Sequence, residues 1–126
     1  MTALQLINEQ MTALDINYEF GEWTSVEIPK LYFIGTNYHE DESSTDDMIN
    51  STLTVVSHNR SSFKDFFNAI DKIKKRFDFH RGLRVETGSG HITIFYSGHT
   101  LTPPQKIGER TKAEIKLRIK ENKSLK

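Results

Sequence analysis

The sequence contains no cysteine, so the chain of 126 residues forms no disulfide, no thiolate metal site and no thiol nucleophile. It has no apolar run near the roughly 20 residues that span a bilayer. The N-terminus lacks the basic-then-apolar pattern of a signal peptide. The formal charge is zero, from 17 basic and 17 acidic residues, which disfavours general nucleic-acid binding because affinity for phosphates needs uncompensated Lys and Arg. We therefore expect a cytoplasmic protein with no membrane contact and no specific nucleic-acid partner.

Motifs of catalytic and cofactor sites are also missing. No two of the five histidines have the i, i+4 spacing of a helical zinc pair, and no Gly-x-Ser-x-Gly elbow is present. The segment 88–90 lacks the Lys-Ser/Thr pair of a phosphate loop. The sequence leaves open whether two or three histidines meet in space. We predict that the protein is not an enzyme and has no catalytic residue, bound metal or cofactor.

A strand followed by an amphipathic helix forms the centre of the predicted fold. Residues 51–57 alternate in polarity, which is typical of a strand with one face on a core. In residues 63–77 the apolar side chains recur at steps of three or four, and we expect this whole stripe to be buried. The stripe consists of Phe63, Phe66, Phe67, Ile70, Ile73 and Phe77. Ser62 with Asp65 predicts a capping box at the start of the helix.

The remaining elements predict a fold of the α+β class. Thr2 with Gln5 predicts a capped helix over residues 3–14, and residues 113–119 alternate apolar with charged positions as a strand does. Further strand patterns lie at 18–23, 31–38, 83–87 and 92–96. We expect a mostly antiparallel sheet of four to six strands with two helices packed on one face. The chain is predicted to be one domain, 1–126, with an N-terminal helix within 1–16, an acidic mobile loop at 39–50 and a disordered tail at 121–126.

The two halves of the chain carry opposite charge. Residues 1–60 contain ten acidic and two basic residues, a net charge of −8, whereas residues 61–126 contain seven acidic and fifteen basic residues, a net charge of +8. The halves either neutralise each other locally within one domain, or leave an acidic and a basic face after folding. The second arrangement favours head-to-tail contacts between identical subunits, and a ring if the rotation closes. The candidate assembly surface is Glu40, Asp41, Glu42, Asp46, Asp47, Lys116, Arg118 and Lys120.

The order of these elements carries a resemblance to a known family. The pieces are the aromatic strand at 28–35 after a proline, the acidic loop, the strand 51–56 followed by Asn59-Arg60-Ser61, the helix ending at 71–77, the glycine-bearing hairpin, Pro103 and the closing strand 113–121. Over residues 18–122 the chain resembles the tail terminator or tail-completion proteins of long-tailed bacteriophages. It departs from them in the Pro103-Pro104 pair and in its strongly basic last strand.

The resemblance implies a non-enzymatic structural protein. Such a subunit forms a ring, hexameric in that family, that caps the tail tube and joins it to the head connector. Its partners would be further copies of itself, the tail tube protein and a head-completion or connector protein. It would lie in the bacterial host cytoplasm during assembly and then in the virion tail. The alternative is a small host-side α+β module that binds or regulates a protein or RNA partner.

Overall fold

The computed structural model describes residues 1–123. It contains two helices and six strands. In chain order these are α1 (Ala3–Ala13), β1 (Tyr18–Phe20), β2 (Leu31–Glu40), β3 (Met48–Asn59), α2 (Phe63–Arg76), β4 (Leu83–Thr87), β5 (Gly90–Thr102) and β6 (Lys112–Lys123).

All six strands belong to one mixed sheet in the order β1-β2-β3-β6-β5-β4. The short β1 pairs parallel with β2, whereas every other neighbouring pair is antiparallel. The last strand of the chain therefore lies in the middle of the sheet, between β3 and β5. Strand makes up 45% of the structure and helix 20%, and the sheet curls into a half barrel.

Two irregularities explain the curl. The register of β2 against β3 shifts between Thr36 and His39, where Asn37 has a positive φ of 52°. The register of β5 against β6 shifts between Tyr96 and His99, where Gly98 has a φ of 106°. A β-bulge bends its strand and increases the local twist, so two bulges on opposite sides of the sheet roll it into a half barrel.

The predicted fold class needs correction. The number of strands lies within the predicted range and the pairing is mostly antiparallel, but the architecture of a sheet with a layer of two helices on one face is wrong. The structure is a strand-dominated, mixed half barrel. Polarity patterns indicate which side of a strand is buried, but they contain no information on parallel pairing or on single-residue bulges.

Buried residues from the sheet and from both helices belong to one hydrophobic cluster. Leu53 and Val55 of β3 are fully buried in it, as are the four apolar residues of β6, Ala113, Ile115, Leu117 and Ile119. The predicted alternation of β6 is confirmed. That of β3 fails at Thr54, a predicted outward position that is only 3% exposed. Phe66, Ile70, Ile73 and Phe77 are buried as predicted, and Leu6, Ile7 and Met11 are the matching residues of α1.

Two members of the predicted helix stripe are not core. Phe63 is 66% exposed and Phe67 is 37% exposed, and their rings form a tilted pair with centroids 4.9 Å apart. Successive helix residues are rotated by about 100°, so Phe67 lies well around the helix from Phe66. Phe63 is the first helical residue. Both rings therefore lie at the edge of the apolar stripe, where they are only partly covered, although their spacing of three and four residues matched that of the buried residues.

The helix starts are largely as predicted. Thr2 and Gln5 form a complete capping box, in which each side chain accepts from the backbone N–H of the other. Ser62 caps α2 by accepting from the Asp65 N–H at 3.2 Å. The reciprocal bond predicted for Asp65 is not among those of the described residues, so only half of that box is present. The predicted first helix is one residue too long, because Leu14 is its C-cap.

Two predicted irregular segments are shorter than expected. His39 and Glu40 continue β2, and Met48 begins β3, so the acidic loop comprises residues 41–47 instead of 39–50. Its mobility stays a prediction. Residues 121–123 belong to β6 and pair with β3 and β5, so this part of the predicted disordered tail is ordered. The rest of that prediction concerns residues 124–126, which lie outside the described residues.

Candidate functional site

The predicted acidic residues lie together at one end of the sheet, at the turn between β2 and β3. We call the residues Glu40, Asp41, Glu42, Asp46 and Asp47 the acidic hairpin. Its turn is closed by backbone bonds from Asp41 N–H to the Asn50 carbonyl at 2.7 Å and from Thr45 N–H to the Met48 carbonyl at 2.8 Å. The Ser44 hydroxyl also bonds to the backbone of Asn50. These bonds fix the base of the turn and direct the carboxylates towards solvent.

The acidic hairpin has no Lys or Arg partner among residues 1–123. The ion pairs among residues 1–123 are His39–Asp41, Lys75–Asp71 and Arg84–Glu86. The first involves a histidine, at 3.4 Å, and counts as an ion pair only when that imidazole is protonated. Five carboxyl groups therefore crowd one turn without Lys or Arg within 4 Å in this part of the chain.

The predicted basic residues lie on the outer face of β6, and we call Lys116, Arg118 and Lys120 the basic strip. All three are exposed, but two have contacts within the subunit. Lys116 Nζ donates to the Thr54 hydroxyl at 2.8 Å, and the Arg118 guanidinium lies 4.8 Å from the centre of the Phe95 ring. Lys120 pairs across the sheet with Asn50, next to the acidic hairpin. The structure thus brings Lys120 close to the predicted acids and leaves Lys116 farther along the strand.

A second basic surface, not predicted from the sequence, lies at the opposite end of the sheet. A cavity of about 330 Å³ opens between the end of β3 and the segment that precedes β6. We call it the cationic groove. Its charged lining consists of Arg60, Arg110 and Lys112 against the single acid Glu109. Glu109 is already engaged, because its carboxylate accepts from the Gln105 N–H at 2.9 Å.

Aromatic rings form one wall of the cationic groove. Tyr32 of β2 and His58 of β3 are cross-strand neighbours and stack nearly parallel, with centroids 4.8 Å apart and an interplanar angle of 6°. Trp23 also packs against Tyr32, with centroids 4.8 Å apart and an interplanar angle of 42°. Its indole N–H donates to the Glu27 carbonyl at 2.9 Å, which ties together the loop that precedes β2.

The backbone positions the cations of the groove. Arg60 lies directly after β3, and its N–H donates to the Lys30 carbonyl at 2.6 Å, so the chain end of β3 is joined to the start of β2. Ser57 is buried and its hydroxyl accepts from the Ala113 N–H at 2.8 Å, which fixes β6 beside β3. Lys112 is thereby held on the outer face beside His58.

The charge of the groove affects its histidine. The pKa of His58 lies below its ordinary value of 6.5, chiefly because burial disfavours the charged imidazolium and in addition because the nearby Lys112 ammonium repels it. The ring is therefore neutral at pH 7. A neutral ring can donate one hydrogen bond and accept another, and it presents an uncharged face for stacking.

Metal sites and membrane-spanning helices have requirements that can be compared with the described residues. Within residues 1–123 no group of three or more His, Asp or Glu side chains is arranged to hold a metal ion. No helix in this part of the chain is long and apolar enough to cross a membrane. His39, His58 and His99 lie in separate surroundings, and the last bonds to the Tyr96 hydroxyl.

Comparison with known proteins does not assign the chain to a family. The chain matches no protein-family model and no curated protein sequence.

Proposed function

We propose that the protein is a non-enzymatic structural subunit of a phage-like particle. In this proposal, copies of the chain form a ring that caps a tail tube and joins it to the head connector. Its partners are then other copies of itself, the tail tube protein and a head-completion or connector protein. The order of elements, which resembles that of tail terminator and tail-completion proteins, supports this class of function, and the surface charges support a charged contact between copies.

The observation that carries the proposal is the separation of charge on the subunit. The acidic hairpin lies at one end of the sheet, without a Lys or Arg partner in the described chain. The cationic groove lies at the other end, with three cations against one engaged acid. Two complementary surfaces at opposite ends of one subunit suit a head-to-tail contact between identical copies, which closes into a ring when the rotation between neighbours is right.

Such a contact depends on salt. Exposed ion pairs contribute only about 0–1 kcal/mol each, so several must act together with apolar contacts to hold a ring. The Debye length falls from about 10 Å at 0.1 M salt to about 3 Å at 1 M, which screens the exposed pairs. We expect association to be strongest at low salt and at high protein concentration.

Analytical ultracentrifugation across protein concentration and salt tests the proposal. We expect one discrete oligomer to grow with concentration at about 0.1 M salt and to dissociate towards 1 M. Negative-stain electron microscopy of the low-salt sample should then show closed rings. A chain that sediments as a monomer throughout, up to millimolar concentration and at low salt, contradicts the ring and favours the alternative of a monomeric binding module.

A further inference from the structure

The cationic groove has the properties of a receptor for carboxylates. Arg60, Arg110 and Lys112 give it a formal charge of +2 after Glu109 is counted, because His58 is neutral at pH 7. Guanidinium groups bind carboxylates through paired N–H donors, so two arginines in one groove suit a ligand with several carboxyl groups. Ile28 lines the groove and is 60% exposed, and Ile107, next to the lining residue Gly108, is also strongly exposed, so both offer apolar surface there.

The aromatic wall suits a polypeptide ligand. Tyr32 and His58 line the cavity beside the cations, and aromatic side chains offer a large apolar contact area together with a polar group at one end. The cavity of about 330 Å³ is at the lower end of the range for small-molecule sites, and it is open to solvent along the sheet end. It therefore accommodates a turn or a few side chains better than a large cofactor.

The chain itself carries the complementary segment. The acidic hairpin presents five carboxyl groups on one exposed turn and lacks a Lys or Arg partner among residues 1–123. It cannot reach the groove of its own subunit, because the two lie at opposite ends of β3. The nine steps from Asn50 to Asn59 span about 30 Å at about 3.3 Å per residue. Contact between the two surfaces must therefore be made between different copies.

We infer that the cationic groove of one subunit receives the acidic hairpin of a second copy of the chain, an inference that rests on the proposed ring-forming function. In this arrangement the hairpin binds mainly to the groove and not to the basic strip. Lys116 and Arg118 already contact Thr54 and Phe95 within the subunit. The cations of the strip and of the groove both lack an ion-pair partner among residues 1–123, but the groove gathers three of them in one cavity. Arg60, Arg110 and Lys112 are the residues that determine specificity.

A charge-swap experiment tests the inference in the full chain. The groove variant carries Arg60→Glu, Arg110→Glu and Lys112→Glu, and the hairpin variant carries Glu42→Lys, Asp46→Lys and Asp47→Lys. Each variant alone should weaken the low-salt self-association by at least about tenfold, because like charges then face each other. The variant that combines all six changes should regain it, because each contact again joins opposite charges. The matched control reverses the basic strip through Lys116→Glu, Arg118→Glu and Lys120→Glu, and it should associate like the wild type.

The outcomes separate this inference from the proposed function. If the groove variant associates normally while the strip variant does not, the groove is not the receptor. The ring proposal then rests on the observed association, with the basic strip as its contact surface. If the wild type itself stays monomeric under all conditions, the proposed function fails and the inference with it. Circular dichroism of each variant checks the fold before association is measured.

Cross-linking provides a readout that leaves every charge in place. The sequence has no cysteine, so Ser43→Cys in the hairpin and Ile107→Cys at the groove rim introduce the only two thiols. Under mild oxidation this double variant should form disulfide-linked multimers. Ser43→Cys combined with Ser89→Cys, in the exposed turn between β4 and β5, is the control and should stay largely unlinked. Equal linking in both variants, or linking only in the control, overturns the inference even where a charge variant fails to fold.

Discussion

The Tyr18 hydroxyl occupies the space in which a Cβ atom on Gly35 would lie. Tyr18 belongs to β1 and Gly35 to β2, and the two strands are held in register by the pairing of Tyr18 with Phe33. The tyrosine side chain is buried, and burial raises its pKa to about 12. Its hydroxyl has no hydrogen-bond partner among the described residues. Close approach of β1 to β2 therefore depends on the missing side chain at position 35.

Gly35→Ala should destabilise the protein by about 1–3 kcal/mol, because the added methyl group overlaps a buried side chain whose backbone cannot easily move. Chemical denaturation measures the loss. Gly88→Ala is the matched control, since nothing lies within 4 Å of a Cβ there and its φ is not positive. The control should change the free energy of unfolding by less than about 0.5 kcal/mol. Equal effects of both substitutions would contradict the proposed packing of Tyr18.

Ile70→Ala should cost about 2–5 kcal/mol, because Ile70 is only 3% exposed and its removal leaves a cavity in the core. Phe67→Ala should cost clearly less, since the ring is 37% exposed and part of its surface is already in water. Urea unfolding of the two variants under identical conditions gives the comparison. A larger loss for Phe67→Ala would mean that the phenylalanine edge of α2 is covered in solution.

Lys112→Gln should raise the pKa of His58 towards its ordinary value, because one of the two causes of its depression is removed. The recovery should be incomplete, since burial is the larger cause. NMR titration of the His58 ring gives both values. The control is Lys120→Gln, which lies on the same face of β6 but about eight residues away and should leave the titration unchanged.

The same depression makes stability depend on pH. The folded state binds the His58 proton less tightly than the unfolded chain does, so this contribution to stability is complete above the unfolded pKa of 6.5. It is lost as the pH falls through the lower folded pKa. Wild-type protein should thus lose more stability than a His58→Gln variant on acidification below 6.5. A wild type that gains stability relative to the variant would show that the sign is wrong.

The acidic hairpin should be the first site of limited proteolysis by an enzyme specific for acidic residues, because residues 41–47 have no apolar anchor and like charges favour an open loop. Ser44→Ala should accelerate this cleavage, since the Ser44 hydroxyl bonds to both backbone groups of Asn50. Ser43→Ala is the control, because among residues 1–123 the Ser43 hydroxyl has only one bond, a long one of 3.5 Å that it accepts from the Asn50 side chain. Mass spectrometry locates the cut. Cleavage that begins elsewhere, or a Ser44 variant that is cut no faster, contradicts this account of the turn.

Much of the interior was predictable from the sequence. Apolar residues at every second position of β6 and at every third or fourth position of α2 identify the buried side of each element, and Leu117 and Ile73 are examples of correct predictions. Hydroxyl groups before helices also identified Thr2 and Ser62 as caps. These features depend on neighbours within about four residues, so local pattern is sufficient to find them.

The groove was missed because it depends on distant parts of the chain. Tyr32, His58 and Lys112 lie on three different strands and become neighbours only through the cross-strand register. Each stands at an outward position of its strand, where polar and aromatic residues are common and do not by themselves indicate a site. The available signal was that all three mark the same end of their strands, and using it requires the strand order. The strand order could not be predicted from the sequence, because β6, the last strand of the chain, lies between β3 and β5.

The two bulges have a consequence for how copies of the chain meet. Within residues 1–123, β1 covers β2 only from Phe33 to Gly35, and β4 covers β5 only up to Ile94. The remaining edge of each long strand is therefore open, yet each contains a bulge, near Asn37 in one and near Gly98 in the other. An interrupted edge is a poor template for an added strand. Copies of the chain are thus kept from joining edge to edge into an endless ribbon, and growth by sheet extension is blocked at both sides of the half barrel.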